Sequence, residues 1–159
     1  MKRRKLSPPP AATFATAQPN IPSAVTAPTG TFVSPGTVTV HDPCPLRFSP
    51  AVHASVRSLV AKQGLTIEEM PHHGESTVCC GEGGFVAGLS PDLVAKWKEV
   101  RKDEAAGRRM ITYCAGCTNH LDGISPTSHI VDLLWEPLAT MAGKVGFTKA
   151  PFTYLNRLK

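Results

Sequence analysis

From residue 37 onward, short β-branched runs alternate with longer segments whose apolar residues recur at helical spacing. Residues Thr37–His41 read TVTVH and predict a first strand. A helix is predicted next, with Ser49 as its cap, Pro50 at its first position and Gly64 at its end. The first unit is therefore a strand, a loop and a helix.

The same order of elements occurs twice more. Residues 65–70 predict a second strand, and a helix capped by Ser90 is expected to reach about Gly107. Residues 109–113 predict a third strand, which is followed by a short helical turn at residues 118–121. Each predicted strand thus leads through a loop to helical structure.

A last apolar stripe predicts one more helix, with Ser128 as its cap and an interruption near Pro137, which has no backbone N–H to donate. Strands that alternate with helices favour an α/β fold, here a small parallel sheet flanked by helices. In such a sheet the loops at the carboxyl ends of the strands lie along one edge. The loops after the three predicted strands are therefore expected to converge.

The N-terminal part of the chain has a different composition. Residues 1–36 contain seven prolines among Ala, Thr and Ser, without a helical or alternating apolar period, and predict a disordered lead. Residues 37–159 are expected to form one domain, because a chain of 159 residues is too short for two domains of ordinary size.

Charge and hydropathy argue against several classes of protein. The net charge is +5, but residues 2–5 supply four of these charges, and residues 41–159 carry 13 basic against 12 acidic side chains. The predicted domain is nearly neutral, which argues against a nucleic-acid partner. No run of about 18 apolar residues exists, and no apolar segment follows the basic N-terminus. We therefore expect a cytoplasmic protein that reaches a membrane only through partners.

All five cysteines follow the predicted strands. Cys44 comes after the first strand, Cys79 and Cys80 come after the second, and Cys114 and Cys117 come after the third. An odd number of cysteines, two of them adjacent, fits poorly with a set of disulfides. The cysteines therefore predict one metal or redox site where the loops converge.

The residue types limit what this site can bind. Thiolates favour zinc, copper(I) and iron–sulfur clusters. Zinc needs four ligands and would leave one cysteine without a role, whereas a cluster can use the fifth. Gly81, Gly83 and Gly84 follow the cysteine pair, and their amides are predicted to point at the sulfurs. A tight turn before the next helix is the other interpretation of these glycines.

Histidines and acidic residues flank the cysteines. His41 is a candidate proton donor, or a hydrogen-bond donor to a sulfur. His72 and His73 are better explained as residues that orient a loop. Asp42 and Glu82 either lie just behind the ligands or cap turns. Neither is assigned a catalytic role, because a carboxylate beside an anionic centre is electrostatically unfavourable.

Three segments together resemble a known family. They are His41–Cys44 (HDPC), Cys79–Gly84 (CCGEGG) and Tyr113–Cys117 (YCAGC). They resemble the cysteine-rich CCG domain found in the B-type component of heterodisulfide reductase. Related domains occur in the iron–sulfur subunits of glycolate oxidase and anaerobic glycerol-3-phosphate dehydrogenase, and in lactate-utilisation proteins. The resemblance covers roughly residues 37–140.

The resemblance implies a cofactor, its ligands and its partners. A noncubane 4Fe-4S cluster would be held by Cys44, Cys79, Cys80, Cys114 and Cys117. In heterodisulfide reductase two such clusters cleave a disulfide, and some family members hold zinc in one of their CCG domains. Family members commonly carry two of these domains, whereas this chain has one motif. Electrons are therefore expected to come from flavin or iron–sulfur subunits of a redox complex.

Three functions are open from the sequence. The first is an iron–sulfur oxidoreductase subunit of heterodisulfide reductase B type, which carries electrons through the five-cysteine cluster and can reduce a disulfide. The second is a zinc-stabilised interaction module of a redox complex. The third is a thiol–disulfide oxidoreductase, because Cys114 and Cys117 between a strand and a helix have the local thioredoxin-type layout. The third interpretation assigns no role to the other cysteines.

Overall fold

A computed structural model of the chain describes residues 36–145. These residues form a four-stranded sheet in which all strands are parallel, in the order β2-β1-β3-β4. The strands are β1 (Thr37–His41), β2 (Thr66–Ile67), β3 (Arg109–Thr112) and β4 (Thr127–His129). The predicted α/β fold with a small parallel sheet is confirmed.

Six α-helices lie between residues 36 and 145. They are α1 (Pro50–Lys62), α2 (Val86–Leu89), α3 (Pro91–Ala105), α4 (Ala115–Leu121), α5 (Ile130–Trp135) and α6 (Pro137–Met141). Short 3-10 turns lie in the loops that carry the cysteines, at Cys44–Leu46 and Gly83–Phe85. The helices connect the parallel strands and cover the sheet, as a parallel sheet requires.

The core lies on both faces of the sheet. On one face, Val38, Val40 and Ile111 pack with apolar residues of α1 and α5. On the other face, Met110 belongs to a cluster that contains two cysteines, because neighbouring residues of a strand point to opposite faces. This cluster consists of Met70, Cys80, Ala105, Met110, Cys117 and Leu121. Part of the cysteine site is therefore also part of the packed interior.

Strand β2 is shorter than the sequence predicts, with only Thr66–Ile67 in the sheet. It lies at the edge and has a single neighbouring strand to hold it. The two residues that follow form ion pairs with different helices and loops: Glu68 with Arg108, and Glu69 with Arg57. The chain leaves the sheet where these ion pairs begin.

Strand β4 is absent from the sequence-based prediction, which placed a helix cap there. Ser128 lies in β4 opposite Ile111 of β3, so the predicted cap at Ser128 is wrong. His129 caps α5 instead, and its Nδ1 accepts a hydrogen bond from the Val131 amide at 3.2 Å. Pairing with β3 outweighs the capping preference of serine. The predicted interruption near Pro137 is confirmed, because α5 ends before it and α6 begins with it.

The other two predicted caps occupy the expected positions without the expected contact. Ser49 and Ser90 precede α1 and α3, but neither side chain makes a capping hydrogen bond. Each is followed by proline at the first helical position. Proline already removes one of the N–H groups that a cap would satisfy.

Residues 1–35 and 146–159 lie outside the described part of the chain. The predicted disordered lead over residues 1–36 falls almost wholly there, and the single domain over residues 37–159 stays a prediction. Within residues 36–145, no helix is both long and apolar enough to cross a membrane.

Candidate metal centre

The central strands bring two cysteine loops to one edge of the sheet. Strands β1 and β3 are neighbours, and His41 at the end of β1 is in register with Thr112 at the end of β3. Cys44 begins the turn after β1, and Cys114 forms the N-cap of α4 shortly after β3. The loops converge because parallel strands present their carboxyl ends at the same edge.

The cysteine sulfurs form two close pairs. Cys44 Sγ lies 3.6 Å from Cys79 Sγ, and Cys80 Sγ lies 3.2 Å from Cys117 Sγ. All five thiols are free. Because Cys79 and Cys80 are adjacent in the chain, the two pairs belong to one site. Cys114 contacts the same group of sulfurs through Cys117.

His41 lies beside the buried sulfur pair. Its side chain is fully buried, and neither ring nitrogen makes a well-aligned hydrogen bond within residues 36–145, although the ring interacts with the Cys80 thiol. A ring nitrogen of His41 and the sulfurs of Cys80 and Cys117 all lie within 4.8 Å of one another. A buried ring without well-aligned hydrogen bonds is costly, so this imidazole is available to donate to a sulfur or to bind a metal.

Contacts between the sulfurs separate the pKa values of the thiols. The hydrogen bond from Cys117 lowers the pKa of Cys80 to about 4, and nearby His41 acts in the same direction. The same hydrogen bond, together with burial, raises the pKa of Cys117. Burial and a neighbouring thiol raise the pKa of Cys44 to about 11. Within the pair of Cys80 and Cys117, Cys80 is therefore the thiol that ionises more readily, and a metal that bound the site as thiolates would displace protons from the thiols whose pKa values are raised.

The loop after the cysteine pair directs backbone amides at sulfur. The Gly81 amide donates to Cys79 Sγ at 3.4 Å, and the Glu82 amide donates to the sulfur of Cys80. Gly81 has a φ of +90°, which favours glycine. An added Cβ there would lie 2.8 Å from Val94 Cγ1 on α3. Glycine is therefore required at this position both for the backbone conformation and for the close approach of α3.

The two later glycines have a different local structure. Gly83 and Gly84 form a 3-10 turn with Phe85, and Gly84 has a φ of +68°. Among the contacts of residues 36–145, neither amide donates to a sulfur. Their predicted part in binding stays a prediction.

Replacement of Gly81 by alanine is expected to lower the free energy of unfolding of the metal-free protein by about 2 kcal/mol. Alanine disfavours the positive φ, and its Cβ would overlap Val94. Urea unfolding followed by circular dichroism measures the change. Gly83→Ala is the matched control, because an added Cβ there meets nothing within 4 Å, and its expected loss is below about 0.5 kcal/mol. Equal losses in the two variants would contradict this explanation.

Asp42 is a buried residue that links the segments around the cysteines by hydrogen bonds. Its fully buried carboxylate accepts two hydrogen bonds from Arg57, each at 2.9 Å. It also accepts hydrogen bonds from the Tyr113 hydroxyl at 2.9 Å and from the Gly74 amide at 2.7 Å. A buried charge is stable only when it is paired and its oxygens are hydrogen-bonded, and Asp42 meets both conditions.

The same residue connects the three cysteine loops. The Asp42 carbonyl accepts a hydrogen bond from the Thr77 hydroxyl at 2.7 Å. The Thr77 carbonyl accepts one from Arg47 Nη2 at 2.7 Å. Arg47 follows Cys44 closely in the chain, whereas Tyr113 directly precedes Cys114. The loop with Cys79 and Cys80 is thus hydrogen-bonded to Asp42 through Thr77, and the loop with Cys114 is hydrogen-bonded to it through Tyr113. From the sequence, Asp42 is expected only to lie behind the ligands or to cap a turn, and its link between the loops is not predicted.

The partners of Asp42 are not predicted from the sequence. Arg57 lies in the middle of α1 among apolar and polar residues, and nothing in its spacing points to a buried carboxylate. Tyr113 carried a usable signal, because it belongs to the YCAGC segment next to a cysteine. Thr77 also precedes the cysteine pair by two positions.

The remaining flanking residues have mainly structural contacts. Nδ1 of His73 lies 2.6 Å from the carbonyl oxygen of Met70, a contact that orients the loop. His72 pairs with Glu104 on α3. The Glu82 carboxylate lies against the backbone of Gly116, where an added Cβ would overlap it. Within residues 36–145, none of these three side chains hydrogen-bonds to a cysteine sulfur.

The fold and the cysteine arrangement agree with a comparison to known families. The family model of the cysteine-rich CCG domain matches residues 38–122, and the chain belongs to this family. A curated protein named "Probable membrane-anchored ferredoxin" from Chromohalobacter salexigens is 31% identical over 96 residues. That match covers 56% of this chain and 14% of the relative, so the chain spans a small part of the relative's length. No solved structure matches the chain.

Proposed function

We propose that this chain is an iron–sulfur redox protein that carries electrons through a cluster bound by all five cysteines. The observation that carries the proposal is the arrangement of the thiols: two close sulfur pairs joined by adjacent residues, at the edge where three loops meet. The family match and the ferredoxin name of the relative support it. The noncubane type of cluster, known for the B-type component of heterodisulfide reductase, is the specific form proposed.

The donor set fits a cluster better than a single ion. A tetrahedral zinc ion takes four ligands, and the site offers five free thiols and an unpaired imidazole within the described residues. Amides of Gly81 and Glu82 already donate to sulfur, as the amides around iron–sulfur clusters do. The proposed ligands are Cys44, Cys79, Cys80, Cys114 and Cys117.

When bound, a cluster of this kind supplies one-electron transfer. The chain determines how a partner reaches it. Cys80 and Cys117 are buried, whereas Cys44, Cys79 and Cys114 are partly exposed, so one side of the site faces the surface. We infer that a flavin or iron–sulfur subunit docks on this side, and that a disulfide substrate would enter there. A single domain over residues 37–159 and a cytoplasmic location belong to the same proposal.

His41 is proposed to serve the site as a donor. Its unpaired ring nitrogens and its position beside Cys80 and Cys117 allow it to donate a hydrogen bond to sulfur or a proton to a departing thiolate. His41→Asn is expected to retain iron and sulfide while losing disulfide-reducing turnover. Iron content and turnover are measured on the same preparation, and unchanged turnover would remove His41 from the proposed mechanism.

A zinc-stabilised interaction module is the second candidate. The grouping of His41, Cys80 and Cys117 within 4.8 Å favours it, because one nitrogen and two sulfurs are three of the four ligands that zinc takes. Zinc would then contribute folding free energy, and a chelator would unfold the domain.

Anaerobic purification of the full chain separates the two candidates. The cluster proposal expects a brown protein with about four iron and four acid-labile sulfide per chain. Metal analysis, sulfide analysis and electron paramagnetic resonance after reduction with dithionite give the result. A colourless anaerobic protein with about one zinc and no sulfide would establish the zinc module instead.

A further inference from the structure

Arg101 on α3 is fully buried and incompletely hydrogen-bonded. Its Nη1 donates to the His72 carbonyl at 2.9 Å and contacts Met70 Sδ at 3.6 Å. Its Nε and Nη2 are buried and have no acceptor within residues 36–145. Unmade hydrogen bonds of a buried charged group are costly, so the two free donors require an explanation.

The carboxylates near Arg101 do not supply these acceptors. Glu104 Oε2 lies 3.1 Å from Arg101 Nη1, but the two groups are not aligned for a hydrogen bond, and Glu104 also pairs with His72. Asp42 is fully engaged with other donors, among them Arg57. Among the described residues, both donors of Arg101 therefore remain free beside these acids.

Arg101 borders the cysteine site. Met70, which its guanidinium contacts, packs in one cluster with Cys80 and Cys117. Burial lowers the pKa of Arg101, and negative charge on Glu104 and Asp42, and to a smaller extent on the cysteine pair, opposes this shift. The guanidinium stays protonated in proteins, so a permanent positive charge lies next to Met70, one residue away from the buried cysteines of this cluster.

We propose that Arg101 is the counter-charge of the metal centre: the negative charge of the centre compensates the buried, incompletely hydrogen-bonded guanidinium, and the positive charge of Arg101 raises the reduction potential. This inference rests on the proposed function. Five thiolates would make the bound centre strongly anionic, and one-electron reduction would add a further negative charge. A fixed cation stabilises the more negative, reduced form more than the oxidised form.

Midpoint potentials of loaded full-chain variants test this inference. Arg101→Gln is expected to make reduction by dithionite less favourable by about tenfold, a shift of 59 mV for a one-electron couple. Arg101→Lys retains the charge and is expected to shift the potential less. Arg108→Gln is the matched control, because Arg108 pairs with Glu68 at the other end of β3, and its potential should equal that of the wild type. Spectroscopic titration under argon gives each value.

A second substitution gives a shift of the opposite sign. Glu104→Gln removes the acid beside Arg101 and is expected to raise the potential. If Arg101→Gln does not fold, a Glu104→Gln potential equal to that of the wild type overturns the inference. A loaded Arg101→Gln protein with an unchanged potential overturns it as well, and shows that Arg101 only supports the His72 loop. Failure of the wild type to bind iron and sulfide overturns the proposed function, and this inference with it.

Discussion

Replacement of any one of the five cysteines by serine is expected to lower iron binding by about tenfold or more, measured as iron and sulfide per chain after anaerobic reconstitution. A serine hydroxyl does not ionise at neutral pH and is a hard ligand, so it does not replace a thiolate. The largest losses are expected at Cys80 and Cys117, because these sulfurs are buried and 3.2 Å apart. Loss of either one breaks the pair in the packed interior.

The complete series of variants distinguishes a five-ligand cluster from a four-ligand metal site. A cluster that uses every thiol leaves no substitution silent, whereas a zinc site leaves at least one serine variant with wild-type metal content. Cys44 and Cys79 decide the matter, because their sulfurs form the pair outside the grouping of His41, Cys80 and Cys117. Gly123→Ala serves as the control, since an added Cβ there meets nothing within 4 Å and the substitution keeps all five thiols. Wild-type iron content in any serine variant contradicts the five-ligand proposal.

Substitution Asp42→Asn is expected to destabilise the metal-free protein by about 3 kcal/mol at pH 7. The neutral amide leaves Arg57 without its buried counter-charge. Its NH2 group would also face the groups that now donate to Asp42, such as the Tyr113 hydroxyl. Urea unfolding of the full chain measures the loss. Glu69→Gln is the control, because Glu69 is the more exposed partner of Arg57, and its expected loss is below about 1 kcal/mol. Equal losses at the two positions would contradict the central role of Asp42.

The pH dependence of this difference gives an independent check. Burial alone would raise the pKa of Asp42, but Arg57, the Gly74 amide and Tyr113 outweigh it and lower the pKa from 3.8 to about 2. The carboxylate therefore stabilises the folded state above about pH 4, and this contribution is lost as the pH falls to about 2. Between these limits the wild type is expected to lose about 2 kcal/mol that Asp42→Asn does not lose. Parallel stability curves for the two proteins would contradict the assignment.

Strand β1 and helices α1 and α3 were predicted correctly because interactions between residues close in sequence are enough to form them. The TVTVH run at Thr37–His41 and the apolar spacing of α1 and α3 were sufficient to place the strand and both helices. Strands β2 and β4 are harder to predict from the sequence. Strand β2 is a short edge strand, and β4 is a run of polar residues, Thr127–His129. Pairing with β3 makes Ser128 a strand residue, and that pairing involves residues distant in sequence.

The apolar periodicity of the chain determines the α/β class. The cysteines follow the predicted strands, and the carboxyl ends of parallel strands lie at one edge, so the sequence also determines one shared site. The network around the site depends on contacts over long separations. Tyr113 reaches Asp42 across 71 positions, and Cys117 reaches Cys80 across 37. Such contacts are selected by burial, because a buried charge or thiol must find its partners within the folded interior. The tertiary structure alone therefore decided that Asp42 ties the cysteine loops together and that Arg101 lies buried beside them.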